Sequence, residues 1–256
     1  MLETNDIAII GDTGFIGSSL KKVIKTKYNY NSSNINLYDS NVCSEIDKNI
    51  EKIVFLAGDP KIYFYKDKPD LCLNNNFDII KNILLKDYNH FIFLSTVSVY
   101  KDISNYSKFK NVGWNNVSTF YGISKLLAEY EVKSRIKNYC ILRLSTPFGN
   151  GMKKGPLFDL IKMKESYVSL DSQYSFLHLN DIANAISHVI KNRITGCFNL
   201  TANNSIDLKS LINKRKDIKI ISNKVVNYDS DNTSLVETGW CQKIDVKDWI
   251  FNNSLL

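Results

Sequence analysis

The sequence predicts an α/β fold: a doubly wound parallel sheet with helices on both faces and a small C-terminal lobe. Two stretches indicate the sheet. Each begins with a short apolar run typical of a buried strand, residues 7–10 and residues 91–94, and each leads into a helical pattern. Length is the third observation, because 256 residues that are 44% hydrophobic can bury one large core together with a smaller lobe.

The first apolar run leads into a glycine-rich turn and a helix that we predict from Ser18 to Lys25. Glycines let the backbone approach a pyrophosphate, and the N-terminus of the following helix adds free N–H groups and the positive end of a dipole. Asp12 is unusual beside phosphates, so we expect its side chain to point away from the anion. The predicted dinucleotide contacts of this turn are Gly11, Thr13, Gly14, Phe15, Ile16 and Gly17.

The second apolar run leads to Thr96, and a helical pattern follows from Tyr121, with Ser118 or Thr119 as the expected N-cap. Tyr121 and Lys125 share one face of this helix. A phenol that exchanges protons near neutrality needs its anion stabilised by roughly 3 pKa units, or about 4 kcal/mol. One cation at about 4 Å supplies roughly that amount at an effective dielectric constant of about 20.

A Tyr-x-x-x-Lys pair alone is weak evidence, because a chain this rich in both residues is expected to contain one or two such pairs by chance, and it has two. The other pair is Tyr106 and Lys110. It lies in a polar stretch without a helical pattern, and we predict a solvated loop there. The pair of Tyr121 and Lys125 becomes stronger evidence for a catalytic site because Thr96 and the glycine turn occur in the same chain.

Taken together, these motifs resemble the extended short-chain dehydrogenase/reductase family, of the NAD-dependent epimerase/dehydratase type that modifies nucleotide sugars. Its members carry Gly-x-x-Gly-x-x-Gly after the first strand, a Ser or Thr shortly before a Val-Tyr pair, and Tyr-x-x-x-Lys. The matching residues are Gly11, Gly14, Gly17, Thr96 before Val99 and Tyr100, Tyr121 and Lys125.

The resemblance implies a Rossmann fold that holds a nicotinamide dinucleotide, and it implies catalytic roles for three residues. Tyr121 would exchange the proton of a sugar hydroxyl or carbonyl, Lys125 would lower the pKa of Tyr121 and bind the ribose, and Thr96 would orient the substrate oxygen. Further implied cofactor contacts, besides Tyr121 and Lys125, are Leu56, Ala57, Gly58 and Ser145. The implied substrate contacts are Thr96, Asn76, Tyr121, Thr146 and Tyr174.

Tyr174 departs from the family pattern, since relatives often carry there an Arg that holds substrate phosphate. Phosphate recognition must therefore differ here, or use Lys153, Lys154 or Lys162.

The second strand bears on the choice of dinucleotide. We place it at residues 28–31, after which NAD-preferring relatives show an Asp or Glu that binds the ribose. Ser32 and Ser33 follow here, with no acid, and they leave room for a 2′-phosphate, which favours NADP(H) while NAD(H) stays open. The alternative places the strand at residues 34–38 and makes Asp39 the ribose ligand.

The resemblance divides the chain into two parts. A dinucleotide-binding domain would comprise residues 1–145 with a return segment at about 176–200. A small substrate-binding lobe would comprise residues 146–175 and 201–256.

Composition and charge limit the classes of ligand and the cellular environment that we expect for this protein. The net charge of +7 suits an acidic ligand such as a nucleotide diphosphate, but the lysines are dispersed, which argues against nucleic acid. No apolar run approaches the ~18 residues of a membrane span, and the N-terminus lacks a signal-peptide pattern, so we expect a soluble cytoplasmic protein. The five cysteines are scattered, which predicts neither a disulfide framework nor a metal site. A homodimer is left open.

The reaction predicted from the resemblance is NAD(P)-dependent reduction of a nucleotide-linked 4-keto-6-deoxy sugar. The related 4,6-dehydratases follow the Thr with Asp-Glu, whereas Val97 and Ser98 stand here, which disfavours dehydration. One alternative is a nucleotide-sugar 4-epimerase with tightly bound NAD. A second is a regulatory protein that binds a dinucleotide without turnover.

Overall fold

Short strands alternate with helices along the chain. The structure is a computed structural model that describes residues 2–100, 117–212, 217–229 and 231–253, so the predicted loop containing Tyr106 and Lys110 lies outside the described residues. The strands are β1 (Leu2–Glu3), β2 (Ile7–Ile10), β3 (Ile24–Lys25), β4 (Tyr28–Tyr30), β5 (Lys52–Phe55), β6 (His90–Thr96), β7 (Tyr139–Leu144), β8 (Thr146–Phe148), β9 (Glu165–Ser166), β10 (Gln173–Tyr174), β11 (Phe176–His178), β12 (Gly196–Leu200), β13 (Ile206–Asp207), β14 (Lys219–Ile220) and β15 (Asn227–Tyr228). The α-helices are α1 (Phe15–Leu20), α2 (Pro69–Leu73), α3 (Ile79–Ile83), α4 (Phe120–Arg135), α5 (Pro156–Phe158), α6 (Leu179–Lys191), α7 (Leu208–Ile212), α8 (Thr233–Val236) and α9 (Val246–Asn252).

The central sheet has six strands within the described residues, in the order β12-β7-β6-β5-β2-β4, and all neighbours are parallel. The strand order reverses between β2 and β5, because the chain goes first to one side of β2 and then to the other. In such sheets ligands bind at the carboxyl ends of the strands on either side of this switch point.

Alternate side chains of the strands point to opposite faces of the sheet, and both faces are buried. Ile9, Val54 and Ile92 belong to one apolar cluster, which also receives Leu20 of α1 and Ile186 of α6. The opposite face forms a second cluster, whose members include Ile10, Phe55, Phe93, Ile83 of α3 and Val132 of α4. The predicted doubly wound α/β sheet is therefore confirmed.

The first helix differs from its prediction. It begins at Phe15 and ends at Leu20, whereas Ser18 to Lys25 was expected. Ile24 and Lys25 instead form β3, which pairs in parallel with β1. Ile24 is almost fully buried, so pairing places an apolar side chain in the core that a longer exposed helix would not.

A third apolar cluster lies towards the end of the chain and joins β8, β10, β11, α7 and α9. Phe148, Tyr174, Phe176, Leu211 and Ile250 belong to it. A small three-stranded sheet, in the order β13-β10-β15, carries Tyr174. Among the described residues, no helix is long and apolar enough to cross a membrane.

Candidate active site

Thr96 and Tyr121 meet at the carboxyl edge of the central sheet. Thr96 is the last residue of β6, and Tyr121 lies in the first turn of α4. Of the two expected N-cap residues, Ser118 and Thr119, the structure uses Thr119, whose hydroxyl accepts a hydrogen bond from the Gly122 backbone N–H at 3.0 Å. A Cβ at position 122 would overlap the carbonyl oxygen of Ser98. Glycine at this position therefore lets α4 approach the segment after β6.

The Tyr121 phenol is buried, and its surroundings favour the protonated form. Burial raises the pKa of Tyr121 above its ordinary value, and electrostatic interactions with Cys72 and Asp59 add to the rise. A hydrogen bond with the Thr96 side chain acts in the opposite direction. Thr96 is oriented in turn by Ser98, whose N–H donates to Thr96 Oγ1 at 3.1 Å.

Lys125 lies one turn after Tyr121 and is 4% exposed. Its Nζ is 4.2 Å from the centre of the Phe93 ring, and among the described residues it has neither a hydrogen bond nor an ion pair. Burial lowers the pKa of Lys125 to about 7, and the carboxylate of Glu129 partly opposes this change. An amine without a hydrogen bond or ion pair among the described residues is available to an anionic or polyhydroxyl ligand.

The glycine turn lies against the segment that follows β5. Gly11 has a φ of +91°, and a Cβ there would be 2.9 Å from the backbone nitrogen of Ala57. A Cβ on Gly17 would overlap the carbonyl oxygen of Gly11. These contacts bring the predicted cofactor residues of the two segments together at the carboxyl ends of β2 and β5, on either side of the switch point.

The other residues of the turn lie in different environments. Phe15 and Ile16 begin α1 and pack against the first apolar cluster, while Thr13 is exposed. Asp12 is buried, and its carboxylate accepts hydrogen bonds from Lys21 at 2.6 Å and Asn31 at 2.8 Å. Although burial raises the pKa of Asp12, these two partners lower it below its ordinary value overall.

The second strand lies where we predicted, since β4 covers Tyr28–Tyr30 and pairs in parallel with β2. The alternative placement at residues 34–38 is wrong. Ser32 and Ser33 are exposed in the turn after β4, and the hydroxyl of Ser33 donates to Asn31 Oδ1 at 2.6 Å. Asp39 lies farther along in an exposed turn, where its carboxylate accepts from the backbone of Asn41.

Asn76 is buried within a π-helical turn, Asn74–Asp78, between α2 and α3. Its side-chain amide is used by the protein itself. Oδ1 accepts from the backbone N–H of Asp59 at 2.9 Å, and Nδ2 donates to the carbonyl of Asp59 at 3.2 Å. The predicted substrate contact thus holds the segment after Gly58, and Oδ1 is 2.9 Å from where a Cβ of Gly58 would lie.

Ser145 and Thr146 follow β7, next to the end of β6, because Thr96 pairs with Leu144. The Ser145 hydroxyl accepts from Ser175 at 3.4 Å. Tyr174 is buried farther out, stacked on Phe176 at 5.5 Å and packed on Tyr228 at 5.2 Å between ring centres.

A buried ion pair beneath the site was not predicted from the sequence. Arg143 of β7 donates to both carboxylate oxygens of Glu129, at 2.9 and 2.6 Å, and both side chains are almost completely buried. Ser95, next to Thr96, donates to Glu129 at 2.6 Å, and Arg143 donates to the Tyr100 hydroxyl at 2.9 Å. The sequence feature that could have indicated the pair is a charged residue at an otherwise apolar position of each element, Glu129 in α4 and Arg143 in β7.

No group of three or more His, Cys, Asp or Glu side chains that could hold a metal occurs in the part of the chain that the structure describes.

Solved structures of similar fold include several nucleotide-sugar proteins. The dTDP-4-dehydrorhamnose reductase of Clostridium acetobutylicum is 18% identical, with a TM-score of 0.80 and 98% of each chain covered. RMD from Pseudomonas aeruginosa, solved with NADPH, is 17% identical, with a TM-score of 0.78 and 95% of each chain covered. UDP-glucose 4-epimerase of Thermotoga maritima is 16% identical, with a TM-score of 0.74 over 98% of this chain and 99% of that one.

No sequence among curated proteins matches the chain. The model of the NAD dependent epimerase/dehydratase family matches residues 7–200, which run from β2 to the end of β12 and include the glycine turn, Thr96, Tyr121 and Lys125. The chain belongs to the NAD dependent epimerase/dehydratase family, and it is an enzyme that depends on a nicotinamide dinucleotide.

Proposed function

We propose that this protein reduces a nucleotide-linked 4-keto-6-deoxy sugar with NADPH. The observation that carries the proposal is the turn after β4, where Asn31, Ser32 and Ser33 stand in place of a ribose-binding acid. An acid there would attract NAD and repel a 2′-phosphate. Its absence from this turn suits NADPH, which a reductase uses and releases in each cycle.

Each residue of the site has a distinct role in the reduction of a carbonyl group. When bound, the dinucleotide supplies the hydride. Tyr121 donates the proton to the substrate oxygen, and Thr96 hydrogen bonds to the same oxygen and orients it. Lys125 binds the ribose hydroxyls, and its positive charge lowers the pKa of Tyr121, against the effect of burial.

The segment after Thr96 favours reduction over dehydration. Eliminating water from a sugar needs an acid and a base in addition to the tyrosine, whereas Val97 is buried and Ser98 carries a hydroxyl. Similar structures include a reductase of a dTDP-linked keto sugar and a protein solved with NADPH, which supports the same choice.

A second candidate is 4-epimerisation of a nucleotide sugar with retained NAD, since a 4-epimerase has a similar fold. Epimerisation needs the same Thr96, Tyr121 and Lys125. The two reactions differ in stoichiometry, because an epimerase ends each cycle with its cofactor unchanged.

The deciding experiment mixes the protein with a nucleotide 4-keto-6-deoxy sugar and NADPH and follows absorbance at 340 nm. We expect one NADPH to be consumed for each sugar reduced. Interconversion of two epimers without net loss of NADPH would overturn the reductase proposal, and binding without any turnover over a panel of sugar nucleotides would indicate a regulatory protein.

The role of Tyr121 is tested by Tyr121→Phe. We expect this variant to fold and bind the dinucleotide but to lose turnover by about 10²-fold or more, since general acid catalysis contributes roughly 10² to 10⁴. Turnover comparable to the wild type would contradict the assignment. Tyr130→Phe, a partly exposed tyrosine of the same helix, serves as the matched control.

A further inference from the structure

A carboxylate that none of these roles uses lies beside Tyr121. Asp59 follows Gly58 at the carboxyl end of β5, and the Cβ position of Gly58 is 3.9 Å from Lys125 Nζ. Tyr65, which is hydrogen-bonded to Asp59, packs in one apolar cluster with Tyr121. The charge of Asp59 also contributes to raising the pKa of Tyr121, after the larger effects of burial and Cys72. These observations agree in placing Asp59 next to the site.

The protein holds Asp59 in place through both backbone and side chain. Asn76 binds the backbone N–H and the carbonyl of Asp59 with its amide. The hydroxyl of Tyr65, a fully buried residue, donates to Asp59 Oδ2 at 2.8 Å. Asn75 donates to the same Tyr65 hydroxyl at 2.8 Å. A group fixed in this way can bind a ligand without a further loss of side-chain entropy.

Within the described part of the chain, one of the two carboxylate oxygens of Asp59 has partners and the other has none. Oδ2 receives the Tyr65 hydroxyl and lies 3.0 Å from Lys61 Nζ, whereas Oδ1 has no hydrogen-bond partner among the described residues. The Asp59 side chain is 24% exposed, so a ligand at the edge of the sheet can reach it. An ionised carboxylate only accepts hydrogen bonds, and a hydroxyl is the donor that a sugar offers.

We propose that Asp59 Oδ1 accepts a hydrogen bond from a ring hydroxyl of the substrate's sugar and so selects for sugars that carry this hydroxyl. The proposal rests on the proposed function, because it requires a nucleotide-sugar substrate. A sugar without the hydroxyl would leave a partly buried carboxylate oxygen unpaired, and this cost is the basis of the discrimination.

Asp59→Asn is the informative substitution. The Tyr65 hydroxyl donates to position 59, so an asparagine there would turn its amide oxygen towards Tyr65. Its NH₂ group would then face the substrate and present a donor in place of an acceptor. Shape is preserved, while the proposed hydrogen bond is lost. Asp67→Asn, an exposed acid of the same connection, is the matched control.

The test is calorimetric titration of the protein saturated with NADP⁺, with UDP, UDP-glucose, dTDP and dTDP-glucose as probes. For the base that the wild type binds, we expect the hexose form to bind more tightly than the diphosphate alone. Asp59→Asn should weaken the hexose form by about tenfold or more and leave the diphosphate unchanged, since hydrogen bonds to charged groups are the stronger kind. Tyr65→Phe should give a smaller loss of the same kind, and Asp67→Asn should give none.

The possible failures are distinct. If Asp59→Asn weakens the diphosphate and the hexose form equally, the residue only supports its loop and the inference is wrong. The inference is also wrong if the hexose forms bind the variant as tightly as they bind the wild type, or if the sugar adds no affinity in the wild type. Binding of none of the four probes by the wild type would also overturn this inference, whereas the proposed function is decided separately, by the consumption of NADPH with a nucleotide-linked 4-keto-6-deoxy sugar.

Discussion

At the scale of single residues, Lys125 has a strongly perturbed ionisation that bears on binding. Burial lowers its pKa to about 7, whereas an unfolded lysine titrates at 10.5. Between these values the unfolded chain binds a proton that the folded protein does not. As the pH falls through this range, Lys125 therefore lowers the free energy of unfolding, by up to about 1.4 kcal/mol per pH unit.

A Lys125→Met variant removes this dependence while nearly conserving the volume. We expect the wild type, without cofactor, to lose stability relative to the variant as the pH falls from about 8.5 to 7, and the cysteines that titrate near the top of this window are common to both proteins. Urea unfolding of both proteins across this window measures the difference. A difference that does not change with pH would contradict the low pKa of Lys125.

At the scale of elements, the ion pair between Glu129 and Arg143 joins α4 to β7, and through Ser95 it also joins α4 to β6. These three elements carry Tyr121, Lys125 and Thr96 or border them. Removing one member of a buried pair strands the other charge and costs about 3–5 kcal/mol, whereas replacing both with apolar residues is often close to neutral.

We therefore expect Glu129→Leu and Arg143→Met each to destabilise the protein strongly and the double variant to recover much of that loss. The hydrogen bonds that orient Ser95 and Tyr100 are not recovered, so turnover of the double variant should stay well below the wild type. Denaturant unfolding and steady-state kinetics of the four proteins make a double-mutant cycle. A double variant that is both stable and fully active would mean that the pair serves stability alone.

At the scale of the whole molecule, the dinucleotide would contact residues from several strand ends, so its binding should stabilise the folded state as a unit. At a free concentration of about 100 times its Kd, a ligand adds roughly 2.7 kcal/mol, which corresponds to a rise in Tm of roughly 5 to 11 °C for a chain of this size. We expect NADPH to give the larger rise and NADH, at the same concentration, a smaller one.

Thermal unfolding with each dinucleotide measures this, and dissociation constants complete the comparison. Adenosine 2′,5′-bisphosphate against AMP isolates the contribution of the 2′-phosphate, which would lie near Ser32 and Ser33. If NADH binds at least tenfold more tightly than NADPH, the inference from the turn after β4 is wrong.

Local patterns were enough to predict the sheet, the glycine turn, and a helix that has Ser118 or Thr119 as its N-cap and carries Tyr121 and Lys125. Each depends on residues within one or two turns of the chain, where the spacing of side chains follows directly from the geometry of a helix or strand. The end of the first helix could not be predicted from such patterns, because it depends on a contact that is distant along the chain. Ile24 pairs with the N-terminal strand and is buried in the core.

Only the tertiary structure decided which groups meet across these elements. Asn76 binds the backbone of Asp59, and Glu129 pairs with Arg143, through contacts between residues 17 and 14 positions apart. The close approach of Gly122 to Ser98 is likewise a contact between elements, because α4 packs on the segment after β6. The sequence by itself determined the family and the fold and predicted the reactive residues, whereas strand register and helix packing decided what surrounds them, because burial and charge depend on neighbours that are distant along the chain.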